Sequence, residues 1–129
     1  MRVKMMMAAL AVTAALAGAA QAQTAPEQGQ YQAALERMMS ESTQGRCAED
    51  LMAADLLAAC TPAAAQMAQG LQSLGAVESV TYLDHETGPD GNRVELYAVK
   101  YAIGMTLNWG IGGLVDGKFT TAFARAAEG

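Results

Sequence analysis

The clearest pattern in the chain is an alternation. In Met105-Thr106-Leu107-Asn108-Trp109-Gly110-Ile111 the odd positions are large and apolar, and the even ones are polar or small. A period of two marks a β-strand with one buried face. Three further strands follow from the same reading. Val77–Leu83 is rich in β-branched residues. Val94–Tyr101 sets Val94, Leu96 and Ala98 against Tyr97, Val99 and Tyr101, so both faces are expected to be partly covered. Lys118–Ala124 places Phe119, Thr121 and Phe123 on one face. Asp84–Asn92, Ala102–Gly104 and Asp116-Gly117 are the turns between them, the last a tight hairpin.

Upstream the period changes. Tyr31, Ala34, Leu35, Met38 and Met39 form one apolar stripe at helical spacing, and Gly45 is placed to cap the helix. The segment Ala48–Leu74 is dense in alanine, leucine and methionine, which favours helix. Thr61-Pro62 divides it into helices over Leu51–Ala59 and Pro62–Ser73, since Pro is tolerated in a first turn. A single helix kinked at Pro62 is the competing reading. In the later piece Ala63, Met67, Leu71 and Leu74 line up. Helices followed by an antiparallel meander predict an α+β fold, with N-terminal helices packed on a curved four-stranded antiparallel sheet.

The N-terminus reads as an address. Arg2 and Lys4 precede the apolar run Met5–Ala20, and Ala20-Gln21-Ala22 offers the small residues of a signal-peptidase site. The run is shorter than the roughly 20 residues a spanning helix needs. Cleavage after Ala22, export to the periplasm or beyond, and no stable membrane insertion afterwards are expected. The division is a signal peptide over 1–22, a tail over 23–29, one domain over 30–124 and a C-terminal tail over 125–129. Removing Arg2 and Lys4, two of the eight basic residues, leaves six against thirteen acidic ones. That balance offers no basic patch for nucleic acid, and an anionic membrane surface would repel it.

Two cysteines, Cys47 and Cys60, remain. In an oxidising compartment an even count suggests a bridge. A straight helix would set their Cα atoms about 20 Å apart, and a disulfide tolerates no more than about 7 Å. The chain is therefore expected to reverse between them.

The run from Leu74-Gly75 through Val80-Thr81-Tyr82, Leu96-Tyr97-Ala98-Val99 and Leu107-Asn108-Trp109 to Asp116-Gly117-Lys118 resembles a small exported bacterial domain of the cystatin-like, nuclear-transport-factor-2-like style. It is similar to the accessory domain attached to some β-lactamase-related serine hydrolases. The resemblance implies helices on a curved sheet, with the catalytic serine on a separate hydrolase. It also implies a cup between sheet and helices, which some relatives use for isomerase chemistry.

The residues themselves exclude several chemistries. His85, in Asp84-His85-Glu86, is the single histidine and falls in an expected turn. No Gly-x-Ser-x-Gly elbow supplies a nucleophile. Two cysteines and one histidine fall short of a zinc set. Asp84, Glu86, Asp90 and Glu95 loosely follow a calcium loop, but Pro89 occupies the place of its required glycine. Gly110, Gly112 and Gly113 have no helix after them to complete a phosphate cradle. No metal or cofactor is expected. Tyr82, Tyr97, Tyr101 and Trp109 are the candidate ligand-binding residues, with Phe119 and Phe123 beside them. The expectation is a non-catalytic binding module of the cell envelope, its partner an envelope protein or a small apolar ligand, with the oligomeric state open. The rival is a cup-shaped isomerase or cyclase with Glu78 or Glu95 as its acid.

Overall fold

The computed structural model describes residues 29–127. The predicted signal peptide, most of the tail after it and the last two residues lie outside the described residues. Two helices pack against an open four-stranded antiparallel sheet, an α+β arrangement. Helix α1 is Gln32–Thr43 and helix α2 is Ala54–Leu74. The strands are β1 Val77–Thr87, β2 Arg93–Tyr101, β3 Thr106–Val115 and β4 Lys118–Ala126. Their spatial order is β1-β2-β3-β4, a meander in which each strand pairs with its sequence neighbours.

Helix α1 buries Leu35, Met38, Met39 and Ser42, the stripe read from the sequence extended by one polar residue. Its end is a Schellman arrangement. The Gly45 N–H donates to the Ser42 carbonyl at 3.0 Å and the Arg46 N–H to the Glu41 carbonyl at 2.9 Å. Gly45 has φ of 81°, which a residue without Cβ adopts without strain.

Helix α2 is one helix, not two. Pro62 lies inside it, and Thr61 does not cap: its hydroxyl donates to the Leu57 carbonyl at 2.9 Å. Pro62 lacks the N–H that would meet the Ala58 carbonyl. Both residues are exposed, so water can take that carbonyl and the helix continues. The chain reversal falls earlier instead, in the segment between Cys47 and Ala54. There the Phe119 N–H donates to the Leu51 carbonyl at 2.7 Å and the Ala53 N–H to the Phe119 carbonyl at 2.8 Å. This short parallel bridge ties the loop to β4. The reversal brings Cys47 and Cys60 together as a disulfide, with Cα atoms 6.2 Å apart.

The strands depart from the sequence reading at several points, among them β4, which runs to Ala126 and so into the expected C-terminal tail. β1 continues through Asp84-His85-Glu86 to Thr87, so the turn is only Gly88–Asn92. Glu95 sits directly across from His85 and continues the ladder. β3 begins at Thr106, and Met105 is exposed rather than buried with Trp109. β3 then runs past Ile111 to Val115. Phe119 and Phe123 also diverge. Phe119 is buried, its ring 5.0 Å from that of Tyr31. Phe123 lies half-buried opposite Gly110, on the far side of β3 from Trp109. The second contact made by Phe119, with residues 51–53, holds it in the core. Asp116 and Gly117 both have positive φ, the type I′ hairpin expected of Asp-Gly.

The core joins α1 to the inner face of β2 and β3. Leu35, Tyr97, Val99 and Ile111 are fully buried, with Trp109 and Tyr101 nearly so.

Candidate functional site

The four aromatic residues singled out in the sequence all belong to this inner face, but they form two separate pairs. Tyr82 and Tyr97 are cross-strand partners with rings 5.6 Å apart in an edge-to-face arrangement. Tyr101 and Trp109 are joined by a hydrogen bond, the indole N–H donating to the Tyr101 hydroxyl at 3.0 Å. Burial pushes the Tyr101 hydroxyl pKa up, with that hydrogen bond acting against it.

Around Tyr82 and Tyr97 lies a polar cluster that no spacing in the sequence announced. Glu95 is fully buried. One carboxylate oxygen accepts from the Tyr97 hydroxyl at 2.6 Å and from the Tyr31 N–H at 2.9 Å. The other accepts from Arg93 Nε at 2.8 Å. The Gln30 N–H is shared between both oxygens, at 3.0 and 2.9 Å. Burial pushes the carboxyl up, but the donors outweigh it and the Glu95 pKa lies below the usual range. Burial and the adjacent carboxylate both push the Tyr97 hydroxyl upward. Arg93 reaches on to the Tyr82 hydroxyl at 3.3 Å, and that hydroxyl lies 3.0 Å from His85 Nδ1.

The role of Glu95 follows from its partners. Helix α1 starts at Gln32 after Tyr31, with no side-chain cap of its own. Glu95 supplies a negative charge from the sheet to the backbone N–H groups entering that helix, where an anion is favoured. The carboxylate therefore fastens α1 to β2. Glu78, the other candidate acid, is exposed on β1.

The open space lies elsewhere. A cavity of about 430 Å³ separates α2 from the sheet. Helix α1 contributes Met38 and Ser42, α2 contributes Leu56, Cys60 and Leu71, and the sheet contributes Leu107 and Trp109. Among the described residues no charged side chain lines it. The cavity exists because α2 buries only Cys60, Ala68 and Leu71. Alanines at 59 and 63 and Gly70 leave room that larger residues would fill. Met67 lies at the rim, 40% exposed, rather than in the stripe the spacing assigned it. A second hollow of about 420 Å³, lined by Met39, Val80, Tyr101 and Glu36 among others, separates α1 from the start of β1. Of the four candidate residues, Trp109 lines the first space and Tyr101 the second; Tyr82 and Tyr97 line neither.

Among the described residues no three His, Cys, Asp or Glu side chains come together to hold a metal ion. The arrangement can hold an apolar body of modest size by dispersion and water exclusion. Among the described residues the first cavity places no ionisable group against such a body, whereas the second has Glu36 and Tyr101 in its wall. No family model, curated protein or solved structure matches this chain.

Proposed function

We propose that the protein is an exported, non-catalytic binding module that holds a small apolar ligand between α2 and the sheet. One observation carries this reading: a cavity of about 430 Å³ with no charged side chain among the described residues that line it. Ligand sites typically span about 300–1,000 Å³ and are mostly apolar. The one indole N–H at the wall is already engaged by Tyr101, so a bound ligand meets mainly hydrocarbon, sulfur and ring surface, with the Ser42 side chain as the polar exception. The disulfide suits an oxidising compartment, in keeping with export after residues 1–22. The order of helices and sheet is compatible with the cystatin-like resemblance, and this reading takes the space between α2 and the sheet as its cup.

The rival isomerase reading rests on an acid among the aromatics. Glu95 is such an acid in position, but both its oxygens are taken by protein donors. A general acid or base must reach a substrate proton, and Glu95 lines neither cavity. The binding reading is therefore preferred.

The test uses the single tryptophan. A neutral apolar fluorophore such as N-phenyl-1-naphthylamine is titrated into the protein, with energy transfer from Trp109 as the signal. Saturable one-to-one binding is expected. Ala63→Phe, which fills the cavity from α2, should abolish it while leaving the thermal transition in place. Unsaturable uptake, or full binding by the Ala63→Phe variant, would exclude the cavity as the site.

A further inference from the structure

A hydroxyl on a helix commonly turns back to that helix's own carbonyls. Thr43 donates to the Met39 carbonyl at 2.8 Å, Thr61 to the Leu57 carbonyl at 2.9 Å and Ser73 to the Gly70 carbonyl at 2.7 Å. Ser40 is exposed to water. Ser42 differs from all of these. It is 5% exposed, and its hydroxyl makes no hydrogen bond to any described residue. Nor is that hydroxyl sealed in, since among the described residues no buried side-chain polar atom is both closed off and unpaired. Ser42 lines the cavity between α2 and the sheet. The open space that its hydroxyl meets is therefore the cavity itself.

The rest of the wall narrows what can meet that hydroxyl. The Trp109 indole N–H is engaged by Tyr101, and Cys60 is bridged to Cys47. Among the described residues no charged side chain lines the cavity. Ser42 is the last residue but one of α1, and no basic residue lies in that final turn. The C-terminal end of a helix carries partial negative charge and disfavours an anion. A carboxylate ligand would thus enter without a counter-charge, and burying an unpaired charge is costly. A pure hydrocarbon meets a different penalty. It displaces any water that reaches Ser42 and leaves the hydroxyl unpaired.

We propose that the cavity selects a neutral apolar molecule that carries one hydroxyl or carbonyl group, and that this group hydrogen-bonds the Ser42 hydroxyl. The inference rests on the cavity reading above and adds the chemical class of the ligand. Ser42 can donate to a carbonyl oxygen, or donate to and accept from a hydroxyl. An engineered cavity of about 150 Å³ takes up benzene. One of about 430 Å³ therefore has room for a body of roughly two or three rings, or a chain of similar bulk. The apolar wall holds that body by excluding water. Ser42 then separates an alcohol or ketone from a hydrocarbon of the same shape, and the missing counter-charge separates both from a carboxylate.

Calorimetric titration of the disulfide-bonded protein, as cells produce it, with naphthalene, 1-naphthol and 1-naphthoate at neutral pH tests the proposal. The three share one ring system and differ in the polar group. 1-Naphthol should bind most tightly, and 1-naphthoate at least about tenfold more weakly than 1-naphthol. Ser42→Ala should weaken 1-naphthol and strengthen naphthalene, so that the preference between them shifts by about tenfold. Alanine suits a helix interior, and the ranking of the three ligands in the unchanged protein does not depend on that variant. A preference for 1-naphthol that persists in Ser42→Ala, or 1-naphthoate binding as tightly as 1-naphthol, would overturn the role given to Ser42 and leave the cavity as a binding site. No saturable binding of naphthalene, 1-naphthol or the fluorophore would overturn both readings together.

Discussion

The Tyr97 hydroxyl donates to Glu95 at 2.6 Å, inside the protein, where both side chains are fully buried. The two residues lie on one face of β2, and the carboxylate they share with Arg93 receives the backbone at Gln30 and Tyr31. A buried charge left without such donors would be costly, so the network holds only as a whole. Glu95→Gln keeps the shape but turns an amide N–H₂ toward groups that are themselves donors. The variant should lose about 2–4 kcal/mol of unfolding free energy. Urea unfolding at neutral pH measures it. A loss below about 1 kcal/mol would mean that α1 is fastened chiefly by its apolar stripe.

The same group sets an acid dependence. The folded-state pKa of Glu95 is lowered, so at acidic pH the unfolded chain binds more protons there. The stabilisation is complete above the unfolded carboxyl value of about 4.3 and is lost as pH falls through the folded value. Glu41 and Asp50, paired with arginines, and Asp90, bonded to Asn92, shift in the same direction. Asp50 and Asp90 are exposed and Glu41 lies in a solvent-accessible pair, so each adds little. The stability gap between the native protein and Glu95→Gln should therefore narrow steadily as pH drops from 6 toward 3, roughly around and below the carboxyl range. A gap that stays constant would place the effect in packing rather than charge.

The fold was legible where local rules and tertiary packing agree. The alternation around Trp109, the α1 stripe and the Asp116-Gly117 hairpin each carry a signal confined to a few neighbouring residues. Glu95 was not legible as a fastener, because its donors at 30 and 31 lie some 65 residues away and a strand period says nothing of what covers a face. His85 was read as turn because Gly88-Pro89-Asp90-Gly91 follows it, yet cross-strand pairing with Glu95 extends β1 through it. The break at Thr61-Pro62 failed for a similar reason. Local chemistry allowed a new helix there, but the exposed side of α2 tolerates a missing hydrogen bond. A cup between sheet and helices was expected only from the resemblance, and no local pattern announces the cavity, since it arises from small residues on α2 facing large ones on β3.

Trp109 combines a cavity wall with a hydrogen bond, and two substitutions separate these parts. Trp109→Ala empties a site that is 6% exposed and should cost about 3–5 kcal/mol. Trp109→Phe keeps much of the ring and removes the donor to Tyr101, so it should cost about 1–2 kcal/mol. Thermal unfolding of both variants checks the order. Equal losses would show that the hydrogen bond, rather than ring burial, dominates.

Gly112 is held by close approach of the neighbouring strand. A Cβ built there meets the Arg93 carbonyl oxygen and lies 2.5 Å from the Val94 Cα. These are backbone atoms of β2 and cannot swing aside as a side-chain end would. Gly112→Ala must push β2 and β3 apart next to Glu95, and overpacking of this kind costs about 1–3 kcal/mol. The disturbance should spread, with faster amide exchange at Val94 and Glu95 than at Tyr101. Exchange that quickens evenly along β2 would argue against a local clash.

The Cys47–Cys60 bridge closes a short loop, with 13 residues of sequence separation. It also forms part of the cavity wall through Cys60. In the chain-entropy view a loop of this size stabilises by about 3 kcal/mol, because it limits the unfolded chain. Peptide mapping without reductant should recover the two cysteines joined. Cys47→Ala with Cys60→Ala should lower the unfolding free energy by about 2–4 kcal/mol. The loop also carries Leu51 and Ala53, whose backbone bonds hold Phe119. Loosening it should therefore weaken the Tyr31–Phe119 contact as well as the cavity. If the bridge acts only on the unfolded chain, amide protection at Phe119 in the folded protein should be unchanged by the double substitution. If it also holds the 51–53 bridge against β4, exchange at Phe119 should quicken before the rest of β4. The second outcome is expected, since residues 48–53 have no helix or sheet of their own beyond that single bridge.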